Sequence, residues 1–213
     1  MPIDYSQPLS LVARESTIEA HDHAATSSVA KALLSGELPV SYYVRYLILL
    51  WHAYDAIEQA LEKHSENPVI EPTYNPALLA RAPAISADIA YFLNEADWKS
   101  HELHHSVLEH AVPYRARIEE ISNSSDPSPL LAHAYVRYLG DLSGGQSIRH
   151  TIAKAYNLPG DSGLQFYDFN QLGASSSPAT TQADLKKIKE WFRNGMDKGA
   201  GDNVEIKGAY ALP

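Results

Sequence analysis

The sequence contains no cysteine among its 213 residues. This absence excludes disulfide bonds, thiolate zinc sites, iron–sulfur clusters and a thiolate ligand to heme iron. Long hydrophobic runs are missing as well. The longest candidate, YLILLW, is far shorter than the roughly 20 apolar residues of a transmembrane helix. The first residues, MPIDYSQPLSLVARES, show no basic stretch leading into an apolar core. We therefore expect neither a secretory signal nor a membrane segment.

Basic residues are in the minority, with 17 Lys and Arg against 26 Asp and Glu, which gives a formal net charge of −9. A chain with this balance has no extended basic face, so we do not expect it to bind nucleic acid. Its composition, 45% hydrophobic and 20% charged, is that of an ordinary globular domain. We expect a cytoplasmic, monomeric protein of one domain.

Apolar residues recur at helical spacing along most of the chain, and no segment keeps the alternation of a strand. The pattern predicts an all-α fold. Two segments lie outside the predicted helices: the loop-rich stretch 158–182 and the tail 199–213. We expect the tail to be frayed or truncated. Those helices cover about 6–36, with Gly36 as the stop, and then 40–64, 76–93, 97–111, 113–122 (separated by Pro113), 130–156 and 183–198.

One stretch, YLGDLSGGQ at 138–146, holds three glycines. Its LSGGQ letters match the signature of ABC-type ATPases, but that motif needs a P-loop lysine elsewhere and the chain has none. GDLSGGQS nearly spells a P-loop, yet Gln146 stands in place of the lysine that contacts the phosphates. A Gly-Gly turn between two helices is the remaining simple explanation.

A helical projection argues against that turn. At about 100° per residue, one apolar stripe continues through the glycines, which favours a continuous and kinked helix. The stripe contains Leu131, Tyr135, Tyr138, Leu142, Gly145, Ile152 and Tyr156. The opposite face contains His133, Arg137, Gly140, Gly144 and Ser147, with Asp141 at its edge.

Interior glycines cost a helix about 1 kcal/mol each relative to alanine. Such a cost usually reflects a close approach to the bare backbone. Either a neighbouring helix or a flat ligand could make that approach. Arg137 and Asp141 beside the glycines favour a ligand, because a helix–helix contact prefers apolar neighbours. The same two residues could instead form a simple ion pair one turn apart.

Two histidines in the first predicted helix, His21 and His23, point about 200° apart, so only one can face the interior. His21 shares its face with Ile18 and Ala25. A histidine on such a face is commonly structural. Opposite a glycine-lined helix it could also supply the neutral imidazole that a heme iron takes as proximal ligand.

At these residues the sequence resembles the heme oxygenase family. The resemblance is carried by EAHDHA, WHAYDAIEQAL and, above all, LLAHAYVRYLGDLSGGQ. It extends over ENPVIEPTYNP, NLPGDSGLQFYDF and IKEWFRNGMD, and so over about residues 9–198. It implies a heme oxygenase domain at 1–198, in which heme is sandwiched between a proximal helix and a kinked, glycine-rich distal helix.

The resemblance also implies roles for single residues. His21 matches the proximal iron ligand, Gly140 and Gly144 match the glycines against the heme face, and Asp141 matches the carboxylate that organises distal water. The hydrogen-bond network behind Asp141 would contain Tyr54, Arg137 and Tyr135. The heme propionates would meet Arg14, Lys189 and Arg193.

The implied reaction is cleavage of heme, as substrate and cofactor together, at a meso carbon to biliverdin, CO and Fe2+. It would use O2 and electrons from a reductase or a ferredoxin. Two departures from the family pattern stand out. The chain stops at residue 213, where a further closing helix is expected, and it lacks the C-terminal membrane anchor of many eukaryotic members.

Two alternative functions remain open from the sequence. His101, Glu102 and His105 spell H-E-x-x-H, the zinc-hydrolase pattern, with Glu119 or Glu120 as a possible third ligand. The other alternative is a heme carrier without turnover, although the complete set of Gly140, Asp141 and Gly144 argues against it.

Overall fold

The computed structural model describes residues 3–170, 172 and 180–210, and within these residues it contains helices and no strand. The all-α prediction is therefore confirmed. None of the described helices has the length and apolarity to cross a membrane. In chain order the helices are α1 Leu9–Ser16, α2 Ile18–Ala25, α3 Ser28–Ser35, α4 Val40–Lys63, α5 Pro76–Leu79, α6 Ala82–Leu93, α7 Glu102–Asn123, α8 Leu130–Gly140, α9 Gln146–Ala155, α10 Gln182–Ala200 and α11 Val204–Ala209.

The long helix α4 forms the centre of the core. It packs against α6 and α7 along most of its length and also meets α8. Its tyrosines Tyr43 and Tyr54 and its aliphatic residues Leu47 and Ile57 are fully buried. Helix α4 thereby supplies a fixed wall on which the site residues of α8 can be positioned.

The single helix predicted over 6–36 is wrong: the structure has three short helices there. The breaks fall at Thr17 and at Thr26–Ser27. Both threonine hydroxyls donate to a backbone carbonyl one turn earlier, at 2.8 Å, which competes with continuation of the helix. Ser27 then caps α3 through its side chain, and Gly36 ends it in the left-handed region at φ 74°, as predicted.

The predicted interruption at Pro113 is also wrong, because α7 continues through it. Pro113 lies on the exposed side of α7. The hydrogen bond that proline cannot donate is therefore lost at the solvent-facing surface, where its cost is low. The predicted helix 76–93 is divided instead at Ala80–Arg81, between α5 and α6.

The glycine stretch is helical, as predicted. Helices α8 and α9 are joined by one π-helical turn, Asp141–Gly145, with no break in the helix. A π-helical turn inserts one extra residue relative to an α-helix and is common at functional sites. The insertion rotates the residues on either side of it relative to each other, which is the kink expected from the sequence.

The C-terminal tail is better ordered than predicted. Asn203 caps α11 with its side chain, and the buried Tyr210 donates its hydroxyl hydrogen to the Ser128 carbonyl at 2.5 Å. Two hydrogen bonds at the Asn203 cap and one from Tyr210 thus order the tail, and its composition does not predict them. Residues 211–213 of the tail, and 171 and 173–179 of the predicted loop, lie outside the described residues.

Close packing of α10 on the 3-10 turn Glu71–Thr73 generates a stability prediction. A Cβ added at Gly195 would lie 2.6 Å from the Pro72 carbonyl oxygen and 2.8 Å from the Thr73 methyl group. We expect Gly195→Ala to lower the free energy of unfolding by about 1–3 kcal/mol through overpacking. Gly208→Ala in α11, where a Cβ meets no described atom within 4 Å, should raise it by up to about 1 kcal/mol. Urea unfolding followed by circular dichroism measures both, and equal effects would contradict the packing argument.

Candidate active site

The π-helical turn lies between two pairs of packed helices. Helix α10 packs on the turn and on α1, while α3 packs on α9. Helix α2 connects α1 to α3, so it crosses from one side of the turn to the other. None of the residues of α2 is buried. The candidate site is the region bounded by α2 and the turn.

Two of the three glycines have open space beside their backbone. Gly140 and Gly144 are exposed, and a Cβ built on either would meet no described atom within 4 Å. A neighbouring helix therefore does not explain their lack of a side chain. Gly145 differs, because it is buried and its Cβ would lie 3.5 Å from the Tyr167 ring. Gly145 therefore faces the core, where an added Cβ would make ordinary van der Waals contact.

Asp141 lies between the glycines and the core. Its carboxylate accepts a hydrogen bond from the hydroxyl of Tyr54, which is fully buried on α4. Burial raises the pKa of Asp141 to about 7, while the Tyr54 hydrogen bond and the charges of Arg137 and Arg81 act in the opposite direction. A carboxyl group with this pKa can both hold and release a proton near neutral pH.

Arg137 does not pair directly with Asp141. No ion pair joins the two among the described residues. The Arg137 guanidinium lies over the Tyr114 ring, 5.4 Å from its centroid, and Tyr114 is in turn hydrogen-bonded to His133 Nδ1 at 3.0 Å. The ion-pair alternative is therefore not supported, and Arg137 acts on Asp141 through its charge alone.

The three cations predicted to bind carboxylates converge near Ser143 and Tyr135. Lys189 donates to Ser143 Oγ at 3.3 Å. Burial raises the pKa of the Tyr135 hydroxyl, and the nearby charges of Arg193 and Arg14 lower it. Tyr135 therefore lies near the cations of α1 and α10, and no direct hydrogen bond joins it to Asp141 among the described residues.

His21 is exposed, with 77% of its side chain accessible and Nδ1 3.4 Å from the Asp22 carboxylate. His21 is not a core histidine, so the interpretation of it as a histidine that only packs in the interior is wrong. The imidazole is therefore accessible on the surface of α2.

Sequence reasoning missed two residues of the site. Arg81 is buried and donates to the carbonyls of Phe166 and Asp168, and its charge lowers the pKa of Asp141. Gln146 donates through Nε2 to the Tyr167 carbonyl at 3.0 Å and to the Asp141 carbonyl at 3.4 Å. Its position directly after the glycines is the signal that could have identified Gln146, whereas Arg81 gives no signal at all.

The H-E-x-x-H pattern does not form a metal site. His101 is the N-cap of α7, with its Nδ1 accepting the Leu103 N–H at 3.1 Å. His105, the second histidine of the pattern, is exposed, and its neighbour His104 is buried with Nε2 3.1 Å from Nε2 of His52. In the described part of the chain, no three His, Asp or Glu residues are grouped so as to hold a metal ion. The zinc-hydrolase alternative is therefore not supported.

Comparison with known proteins agrees with this geometry. A sequence model of the family described as "Heme oxygenase" matches residues 7–209. The chain belongs to the heme oxygenase family. This is a family of enzymes that degrade heme, so the fold and the class of enzyme implied by the sequence motifs are confirmed.

Individual heme oxygenases are similar over almost the whole chain. The heme oxygenase of Guillardia theta is 35% identical over 194 residues, which are 90% of this chain and 74% of that protein. The heme oxygenase of Leptospira interrogans superposes with a TM-score of 0.81 at 31% identity, covering 96% of this chain and 92% of that structure. Heme oxygenase-2 of Synechocystis, solved in complex with heme and NO, superposes with a TM-score of 0.75 at 27% identity, covering 96% of this chain and 85% of that structure.

The pKa of Asp141 generates a prediction about this heme oxygenase fold. The unfolded carboxyl titrates near 3.8 and the folded one near 7. Between these values the folded state holds the extra proton, so stability from Asp141 is present at low pH and is lost as pH rises through 7. We expect wild type to lose on the order of a few kcal/mol of unfolding free energy relative to Asp141→Asn between pH 4 and 8.

Urea unfolding at several pH values measures that difference. Asp202→Asn, at an exposed position between α10 and α11, is the matched control and should follow wild type. Parallel pH profiles for wild type and Asp141→Asn would contradict the raised pKa.

Proposed function

We propose that this chain binds heme between α2 and the π-helical turn and cleaves it at a meso carbon to biliverdin, CO and Fe2+. The observation that carries the proposal is the open backbone of Gly140 and Gly144 beside the carboxyl of Asp141. A flat macrocycle can lie against two glycines whose missing side chains leave space, and a proton donor then stands at its edge.

The residues present fit heme on both of its faces. His21 offers an exposed imidazole on α2, and a neutral imidazole is the usual proximal ligand of heme iron. A Cβ at Gly140 or Gly144 would project into the space beside the turn. The complex of the Synechocystis relative with heme and NO supports the same ligand for this chain.

The cations of α1 and α10 suit the two propionates of heme. Arg14, Lys189 and Arg193 come together although the chain as a whole is acidic. Arginine binds carboxylates through paired N–H donors, and lysine adds a point charge. Their convergence would fix the rotation of heme in its plane, and with it the meso carbon presented to the distal side.

Bound heme supplies the iron that binds and activates O2. The protein contributes proton control. Tyr54 donates to Oδ2 of Asp141, which leaves Oδ1 to hold a water molecule on the distal side. With a pKa of about 7, Asp141 can release a proton through that water and recover it without large cost. The π-helical turn would form a wall beside one face of the bound macrocycle.

Several finer points stay predictions. We propose that O2 is the oxidant, and that a reductase or ferredoxin supplies the electrons. We further propose a domain over 1–198, a monomer and a cytoplasmic location.

The iron ligand is tested by comparing the two histidines of α2. We expect His21→Ala to lose the absorption spectrum of heme coordinated by a neutral imidazole and to bind hemin more weakly. His23→Ala is the matched control, since His23 lies two positions away in the same helix and is also exposed; it should keep the wild-type spectrum. An unchanged spectrum for His21→Ala would overturn the assignment.

The role of Asp141 is tested by turnover. Because asparagine keeps the shape but cannot deliver a proton, we expect Asp141→Asn to bind hemin and to form biliverdin at least about tenfold more slowly, within the usual range for loss of an acid–base group. Hemin titration and the rate of biliverdin formation with a reductase system measure the two effects separately. Full turnover by the variant would refute the role of Asp141. If the wild-type protein binds hemin but forms no biliverdin, the result would instead favour a heme carrier without turnover.

A further inference from the structure

A second cavity, separate from the glycine-lined site, opens between α4, α5 and α6. Its volume is about 460 Å³, within the range of small-molecule sites. The rings of Tyr138 and Phe192 form part of its lining. Tyr138 also packs against Tyr54, with ring centroids 5.8 Å apart. The Tyr54 and Tyr138 rings therefore lie between the cavity and the π-helical turn.

The inner lining of this cavity is apolar. Ile70, Leu79, Tyr138 and Phe192 line it, and each is almost fully buried. Two of the four are aromatic, so a flat apolar group can pack against a ring. This part of the cavity favours the body of a small organic molecule over a bare ion.

The charged groups of the lining all have one sign. Asp55, Glu58 and Glu62 contribute carboxylates, whereas no Lys, Arg or His belongs to the lining within the part of the chain that the structure describes. The Asp55 carboxylate is 3.4 Å from Arg115, which partly compensates its charge. No ion pair joins Glu58 or Glu62 to a cation among the described residues, so an ionised Glu58 would attract a positive group into the cavity.

Glu58 is the carboxylate that is best placed to hold such a group. It accepts the backbone N–H of Arg81 at 2.5 Å and that of Ala82 at 3.3 Å. No cation lies within 4 Å of it among the described residues. The Arg81 guanidinium donates elsewhere, to carbonyls such as that of Leu79 at 3.0 Å. Burial is the main cause that raises the pKa of Glu58 to about 7.

Glu58 is partly buried and has no ion partner among the described residues, and a cationic ligand would supply one. We propose that this cavity binds a small organic cation whose apolar body packs on Tyr138 and Phe192 and whose amidinium or ammonium group pairs with Glu58. The site requires no heme, so it is independent of the proposed function.

Benzamidine is a suitable probe, because it joins a planar amidinium to a benzene ring, and benzamide is its neutral analogue of the same shape. Calorimetric titration of the full chain should show saturable binding of benzamidine at one site and binding of benzamide at least about tenfold weaker, as expected for loss of a charge-assisted hydrogen bond. Equal affinities for the two probes would overturn the proposal.

Two substitutions locate the site. Glu58→Gln keeps an acceptor for the Arg81 N–H but removes the charge, and should weaken benzamidine binding at least about tenfold. Glu37→Gln is the matched control, because Glu37 is exposed and remote from the cavity lining; it should bind as wild type does. Ala80→Phe would fill the cavity while leaving Glu58 in place, and should abolish binding. Wild-type affinity in Glu58→Gln or in Ala80→Phe would refute the site.

The pH dependence gives an independent readout. Benzamidine stays cationic near neutral pH, whereas Glu58 loses its proton as pH passes about 7. Binding should therefore strengthen between pH 6 and 8, and the dependence should disappear in Glu58→Gln. A pH dependence retained by that variant would assign the effect to another group. The charged and titratable groups around Glu58 are Asp55 and Glu62 on α4, Tyr74, Arg81 and Tyr138.

Discussion

The hydrogen bond from the Tyr54 hydroxyl to the Asp141 carboxylate connects the core to the active site. Tyr54 is fully buried on α4, the helix that α6 and α7 pack against. The position of Asp141 is therefore set by the buried core of the molecule. The same burial that fixes the carboxyl raises its pKa to about 7. Geometry and acidity of the proposed proton donor thus have one cause, and a change in the packing of α4 would alter both.

The π-helical turn reconciles two demands on one helix. Its inner residue Gly145 is buried and faces Tyr167, whereas Gly140 and Gly144 leave backbone open on the outer side. An α-helix with a turn of 3.6 residues would continue the apolar stripe without displacement, while the extra residue of a π-helical turn shifts Asp141 relative to it. Gln146 compensates for the irregular backbone by donating to the Asp141 carbonyl. The glycines are therefore not interchangeable, although they are neighbours in sequence.

Sequence patterns predict the features that depend on interactions between residues close together in the chain. The helical stripe through the glycines identified a continuous helix, and the motif around Asp141 identified the family. The features that sequence reasoning missed depend on distant partners. Tyr210 is held by Ser128 across 82 positions, and Arg81 reaches carbonyls 85 and 87 positions away. The division of the first helix at Thr17 depends on a side chain that competes with the backbone, and threonine within a helix predicts this only weakly. The charges near Tyr135 likewise come from distant segments, since Arg14 lies on α1 and Arg193 on α10.

The overall charge of −9 says little about which ligand the active site accepts. Charges at the surface are screened beyond about 10 Å at moderate salt, so a bound ligand responds mainly to the groups around it. At the π-helical turn those groups are Arg14, Lys189 and Arg193, while at the second cavity they are Glu58 and Glu62. The two sites are therefore opposite in sign within one acidic protein. An anionic dicarboxylate and an organic cation would each be favoured by one site and disfavoured by the other. We therefore expect the local charge around each site, and not the net charge, to determine which ligand that site accepts.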